Sequence, residues 1–298
     1  MNSNRIIKRI SGWLVAALAL LLLQACSAIK LAYNNAPEFG YWWLDGYVDF
    51  QSDQSFRARE ELNKLLAWHR AEELPKIAEL LRKIQPLAVA DLTSAQVCAL
   101  FEESRGRYEA VTRQAEPAAV WLVMSLQPAQ LTHIESKFSK INDQWRKDWL
   151  QLTAAERFEK RLKSNTERAE EFYGKLEDRQ VAALRGALEA SQFDAAMNMT
   201  ERQRRQQDLM QTLRRASGAV AGSAKPAASE VLAQLRAYRE RVTRSPNAAY
   251  ESYNERLTKE SCASFAALHN ITSAEQRKRA LGRIAAYERD ARELNSQR

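Results

Sequence analysis

Glycine and proline are scarce: 9 Gly and 7 Pro in 298 residues leave too few turn residues for a many-stranded sheet. Ala, Leu, Arg, Glu and Gln are frequent instead, all good helix formers, and the expected fold class is all-α. Histidine is equally rare. His69, His133 and His269 lie on separate stretches, with no Cys-x-x-Cys and no His-Glu-x-x-His, so no metal site is expected. His69 has Glu72 and Glu73 at helical spacing, but a partly exposed histidine beside Trp68 is the plainer reading. There is no Gly-x-Ser-x-Gly elbow and no glycine-rich phosphate loop. The glutamate pairs 60/61, 72/73, 102/103 and 170/171 are adjacent in sequence, so their members point about 100° apart on a helix and do not converge as a catalytic dyad. The chain therefore reads as non-enzymatic and without a cofactor, and a cell-wall enzyme, the remote alternative, has no residues behind it.

Long hydrophobic runs are also missing, apart from Gly12 to Leu23. That run is shorter than the roughly 20 residues of a membrane-spanning helix, and Arg5, Lys8 and Arg9 precede it. Together they read as a cleaved signal peptide over residues 1–25. Leu23-Gln24-Ala25-Cys26 resembles the lipobox of bacterial lipoproteins. The resemblance implies a diacylglycerol on the Cys26 thiol and an acyl group on its amine after cleavage. One acyl chain binds a membrane marginally and two or more bind it stably, so the anchor should be effectively permanent. Ser27 follows where Asp is associated with inner-membrane retention, which implies the inner leaflet of the outer membrane, facing the periplasm.

Removing Arg5, Lys8 and Arg9 takes the net charge from +8 to +5. The surplus is concentrated in residues 200–244, where Arg202, Arg204, Arg205, Arg214 and Arg215 lead a basic stripe. In a periplasmic chain its anionic counterparts are lipopolysaccharide, lipid headgroups or cell-wall polymers, and nucleic acid is not expected; a solvated helix face is the plainer alternative.

After a tether over residues 26–36, Pro37 suits the first turn of a helix. Phe39, Trp43, Gly46 and Phe50 fall on one helical face and are expected to pack into the bundle. Trp42, Asp45 and Asp49 fall on a neighbouring edge, the candidate partner surface. A long apolar stripe from Asp53 to Ile84 should kink near Leu74, ahead of Pro75. Helix starts follow at Thr93 with Gln96, Gln127 with Gln130, Thr153 with Glu156, Glu177 with Gln180, and Thr272 with Glu275. Pro117 should bend the helix that begins near Thr93. The starts keep no fixed period, which excludes a solenoid and leaves an irregular bundle of antiparallel helical hairpins. The expected organisation is a bundle over 37–216, a linker of small residues over 217–228, and C-terminal helices over 229–298 docking on the bundle.

Of 3 cysteines, Cys26 is taken by lipid, leaving Cys98 and Cys262. An oxidising compartment favours a disulfide between them, and two buried thiols are the alternative. The bond would close a loop of over 160 residues, for which the chain-entropy model assigns roughly 5 kcal/mol.

Several motifs together carry a wider resemblance: the lipobox, Leu31-Ala32-Tyr33-Asn34-Asn35, Tyr41-Trp42-Trp43-Leu44-Asp45, Leu66-Ala67-Trp68-His69-Arg70, Glu72-Glu73-Leu74-Pro75, and Cys262 with Leu268-His269-Asn270 and Thr272 to Gln276. The chain resembles an uncharacterised family of Gram-negative lipoproteins, which implies address and fold and carries over no catalytic residue. Two roles follow as expectations. One is a membrane-anchored binding or scaffold protein for an envelope protein or polymer. The other is a helical chaperone, because Leu92-Thr93-Ser94-Ala95-Gln96 is similar to the Leu-Thr-x-x-Gln motif of Spy/CpxP-type periplasmic proteins.

Overall fold

The computed structural model describes residues 29–218 and 225–297, and every regular element among them is helical. The leader, Cys26, Ser27 and residues 219–224 of the expected linker lie outside the described residues. Residues 29–34 are helical and lead into α1 (Ala36–Val48), α2 (Ser52–Trp68), α3 (Leu74–Ile84), α4 (Ser94–Gln114), α5 (Glu116–Ser125) and α6 (Pro128–Trp145). Then come α7 (Ala154–Tyr173), α8 (Asp178–Ala190), α9 (Ala195–Ala216), α10 (Ala228–Thr243), α11 (Ala248–Asn270) and α12 (Ala274–Ser296). All-α is the observed class.

Pro75 stands inside an unbroken helical run over residues 52–84, whereas Pro117 follows a break. A single π turn, His69–Glu73, separates α2 from α3, and the Leu74 N–H reaches back to the His69 carbonyl. The wider turn accommodates Pro75, which has no N–H to give and sits in the first turn of α3. Pro117 likewise opens α5, and the chain turns at Ala115 between two separate helices.

Four helix starts share one device. In α2, α6, α8 and α12 the third helical residue is a buried glutamine: Gln54, Gln130, Gln180 and Gln276. Each Oε1 accepts the backbone N–H of its own helix's N-cap, at 3.0 Å from Gln51, 3.0 Å from Gln127, 2.9 Å from Glu177 and 2.9 Å from Ser273. The glutamines then bond one another in pairs. Gln54 and Gln130 exchange amide bonds at 3.2 and 2.7 Å, and Gln180 and Gln276 at 2.7 and 3.0 Å. The second hydrogen of each amide goes to the carbonyl two residues before the partner's N-cap: Ser125, Asp49, Ile271 and Lys175. Every amide hydrogen and both acceptor directions are used, so these polar groups can be buried without penalty. For α12 the cap is Ser273 with Gln276, one residue later than the expected Thr272 and Glu275. Thr272 is buried instead, with its hydroxyl donating to the His269 carbonyl at 2.6 Å.

These pairs mark a duplication. In the first half α1 packs on α2 and α6, and α2 packs on α5; in the second half α7 packs on α8 and α12, and α8 packs on α11. The two helices inserted in each half reach into the other. Thus α3 packs on α12 and α4 on α11, while α9 packs on α6 and α10 on α5. Helix for helix, α7–α12 repeats α1–α6, and the halves interlock by exchanging their middle helices. The boundary between them is the short segment 151–153. The largest apolar clusters follow the same division: Val48, Val123, Leu131, Ile134, Met210 and Leu213 in one, and Leu162, Tyr173, Leu176, Leu184 and Leu268 in the other.

The two crossings are fastened differently. Cys98 on α4 is bonded to Cys262 on α11, with Cα atoms 5.4 Å apart and 164 residues between them in sequence. At the equivalent crossing Glu116 on α5 accepts from Arg236 and Arg239 on α10, both at 2.6 Å. Hydrogen bonding by Arg236 outweighs burial and holds the Glu116 carboxyl below the usual carboxylate range.

Replacing Gln180 by Leu strands the buried amide of Gln276 and is expected to cost about 1–3 kcal/mol of stability. The double variant Gln180→Leu, Gln276→Leu is expected to cost less than the sum of the two single changes. Urea unfolding of the four proteins measures the coupling, and strictly additive losses would refute the pairing.

Candidate functional site

Three exposed aromatics lie together on α1. Glu38 occupies the first turn beside Pro37, and the helix ends where Asp49 adopts a left-handed backbone, φ 55°. Asp45 closes this end: its carbonyl takes the Asp49 N–H at 2.8 Å and its carboxylate takes the Phe50 N–H at 2.9 Å. Pro37, Tyr41 and Val48 form the buried stripe, with Leu44 half-buried between them. The Tyr41 hydroxyl donates to Ser55 Oγ at 3.0 Å, the Arg59 guanidinium lies 3.4 Å from its ring centre, and Phe50 stacks on it with centroids 5.6 Å apart.

That stripe turns the other aromatics outward. Phe39 is 51% exposed, Trp42 61% and Trp43 64%. Phe39 touches Trp42 with ring centroids 5.9 Å apart, and Trp43 leans on Tyr47 at 5.0 Å. Ile29 and Leu31, also exposed, extend the apolar surface toward the start of the described chain. One expectation is corrected here: Phe39 and Trp43 do not pack into the bundle. The helix carries apolar residues all round, so its periodicity is compatible with either face, and the Tyr41–Ser55–Arg59 contacts choose. On the neighbouring edge Trp42 and Asp49 are exposed, while Asp45 is half-buried with one carboxylate oxygen on the Phe50 N–H. The exposed aromatic surface of α1 is Phe39, Trp42 and Trp43.

The basic stripe is largely neutralised. Arg204 and Arg205 both bond Glu201 at 2.8 Å, and Arg204 and Arg241 flank Asp208 at 3.5 and 2.7 Å. Arg214 pairs with Glu135 on α6. Arg202 donates to Asn142 Oδ1 at 3.2 Å and lies over Trp145, while Arg215 is exposed and donates only to the Gln211 carbonyl at 3.2 Å. Burial alone would raise the Glu201 carboxyl, but Arg204 and Arg205 hold it below its ordinary range. The stripe is therefore partly paired within its own helix, at Arg204 and Arg205, and partly across helices, where folding brings Glu135 against Arg214.

His69 and His269 are structural in their contacts. His69 Nδ1 meets the Tyr33 hydroxyl at 2.9 Å, and burial pushes the ring's pKa down. His269 is buried, with Nε2 donating to the Ala90 carbonyl at 2.8 Å and Nδ1 facing the Tyr173 hydroxyl at 2.8 Å. Burial lowers His269 and pushes Tyr173 up to about 12. Among the described residues no group of three or more His, Cys, Asp or Glu is placed to hold a metal ion. Glu60 and Glu61 both pair with Lys64, at 2.9 and 3.1 Å, as solvated helix faces do. The Leu92 motif has an equally local use: Thr93 and Gln96 cap their own helix, and Gln96 has no glutamine partner. Sequence reasoning missed the paired glutamines as pairs, although Gln130 and Gln180 stood among the start signals; the recurring third-position glutamine was the available clue.

The model of a family of unknown function, DUF6279, matches residues 46–223. The motifs at Leu31–Asp45 and Cys262–Gln276 lie outside that span. No curated protein and no solved structure matches the chain. No helix among the described residues is long and apolar enough to cross a membrane.

Trp42→Ala with Trp43→Ala is expected to change stability by no more than about 0.5 kcal/mol, as exposed positions do. Tyr41→Ala, one residue away, is expected to cost about 3 kcal/mol or more through lost packing. Urea unfolding of both proteins decides it; a large loss in the tryptophan double variant would return those side chains to the core.

Proposed function

The chain belongs to the family of unknown function DUF6279, and on that footing we propose that it is a lipid-anchored envelope lipoprotein and a non-enzymatic binding or scaffold protein. The anchor is Cys26, carrying diacylglycerol and an N-acyl chain, and the address is the outer membrane of a Gram-negative cell, facing the periplasm. The observation that carries the reading is the exposure of Phe39, Trp42 and Trp43 on a helix whose packing is already supplied by Tyr41 and Val48. Large aromatics that a fold does not need are costly to leave in water and are enriched where proteins meet partners. Their position supports the same reading, since Trp42 lies about 20 Å along the helical path from Ile29 at about 1.5 Å per residue. A partner seated there would be held close to the lipid surface.

Two measurements test this in cells. An alkyne-tagged palmitate should label the full chain and fail to label Cys26→Ala; labelling of neither would sink the anchor. A photoreactive residue at position 42 or 43 should give one discrete crosslinked product that disappears in Phe39→Ala. The absence of any product would sink the scaffold.

The same exposed aromatics favour a second reading, a helical periplasmic chaperone of the Spy/CpxP kind. That activity predicts suppression of aggregation of an unrelated unfolded protein at near-stoichiometric amounts, monitored by light scattering. Failure to suppress removes it and leaves the scaffold.

A further inference from the structure

A cleft of about 510 Å³ opens between α4, α7, α8 and α11, within the roughly 300–1,000 Å³ of small-molecule sites. Its walls are largely apolar, with Phe172, Leu188 and Leu268 inside and the exposed rings of Phe101 and Phe265 at the mouth. One end is cationic. Arg161 is half-buried there, stacks 4.5 Å from the Phe193 ring centre, and donates to Ser191 Oγ at 2.9 Å. Among the described residues no carboxylate lies within ion-pair distance of it, whereas Arg204, Arg205, Arg214, Arg236, Arg239 and Arg241 all have one. Arg168 lies seven residues on, along the same face of α7, and also lines the cleft. Glu260 is the acid of the lining, and its carboxylate faces the Gln192 N–H at 3.3 Å. Burial pushes the Arg161 pKa down and outweighs the opposing charge of Glu260, so the guanidinium is under-compensated where it stands. An incoming carboxylate would supply the missing charge through a bidentate pair.

We propose that this cleft binds a free long-chain fatty acid, its carboxylate on Arg161 and its acyl chain along Phe172, Leu188 and Phe265. Charge and shape both point to this occupant. A neutral apolar ligand would leave Arg161 uncompensated, and a polar anion would leave the aromatic wall in water. The site is separate from the aromatic face of α1 and does not depend on the scaffold reading.

The test uses the purified full chain in a mild non-ionic detergent and a diazirine-bearing palmitate, with the labelled peptides located by mass spectrometry. Label is expected on the peptide that carries Phe101 and on peptides from 161–193 and 257–268. Excess palmitate should displace it and methyl palmitate should not. Arg161→Gln is expected to lower labelling roughly ten-fold, the value of one lost charge-assisted contact. Ala187→Trp, which fills the cleft without touching the arginine, is expected to lower it at least as far in a protein with unchanged circular dichroism. The proposal is overturned by label outside these peptides, by equal displacement with methyl palmitate, or by undiminished labelling in a folded Ala187→Trp protein.

Discussion

A glutamine that caps its own helix while bonding a glutamine that caps another is the contact on which the rest of this structure depends. A helix start carries orphan N–H groups and is ordinarily left in water. Here four starts are buried in two facing pairs, because each glutamine satisfies its own N-cap, its partner's amide and a carbonyl of the partner's incoming loop. The geometry is reciprocal, so each pair fixes the relative position of two helices and of the loops that precede them. In the first pair one of those loops contains Asp49, whose carbonyl is held by Gln130. That bond ties the end of α1 to the start of α6.

Interlocking follows from the duplication. Each half lends its two middle helices to the other, so neither half completes its core alone. The crossings carry an apolar seam of Leu74, Ala78, Ala291 and Leu294 on one side and the Met210 and Val231 contacts on the other. Covalent closure is used once, at Cys98 and Cys262, and an Arg–Glu–Arg cluster around Glu116 stands in the equivalent place. The cleft proposed for a fatty acid lies beside the disulfide crossing, with Phe101 of α4 and Phe265 of α11 at its mouth.

Much of the architecture was readable from the chain. Scarce glycine and proline predicted helices, and the capping pairs predicted several of their starts within a residue or two. Cys98 and Cys262 were paired by elimination and compartment. The duplication was not readable, because equivalent helices differ in length, from 10 residues in α5 to 23 in α11, which destroys any fixed period. The face of α1 was not readable either. Residues 39, 43, 46 and 50 and residues 37, 41, 44 and 48 are both apolar series at helical spacing, and contacts to Ser55 and Arg59 on the next helix choose between them. The basic stripe looked like a polyanion site for a similar reason: Glu135, which pairs with Arg214, and Glu116, which pairs with Arg236 and Arg239, are far away in sequence and adjacent only in space.

The sequence by itself determined the helical class and many of the local starts and stops, because helix propensity, capping and turn chemistry act over a few neighbouring residues. The tertiary structure alone decided which aromatics of α1 face water, and it alone set Glu135 and Glu116 against Arg214, Arg236 and Arg239. Those are properties of contacts between helices far apart in the chain, and no local pattern encodes them.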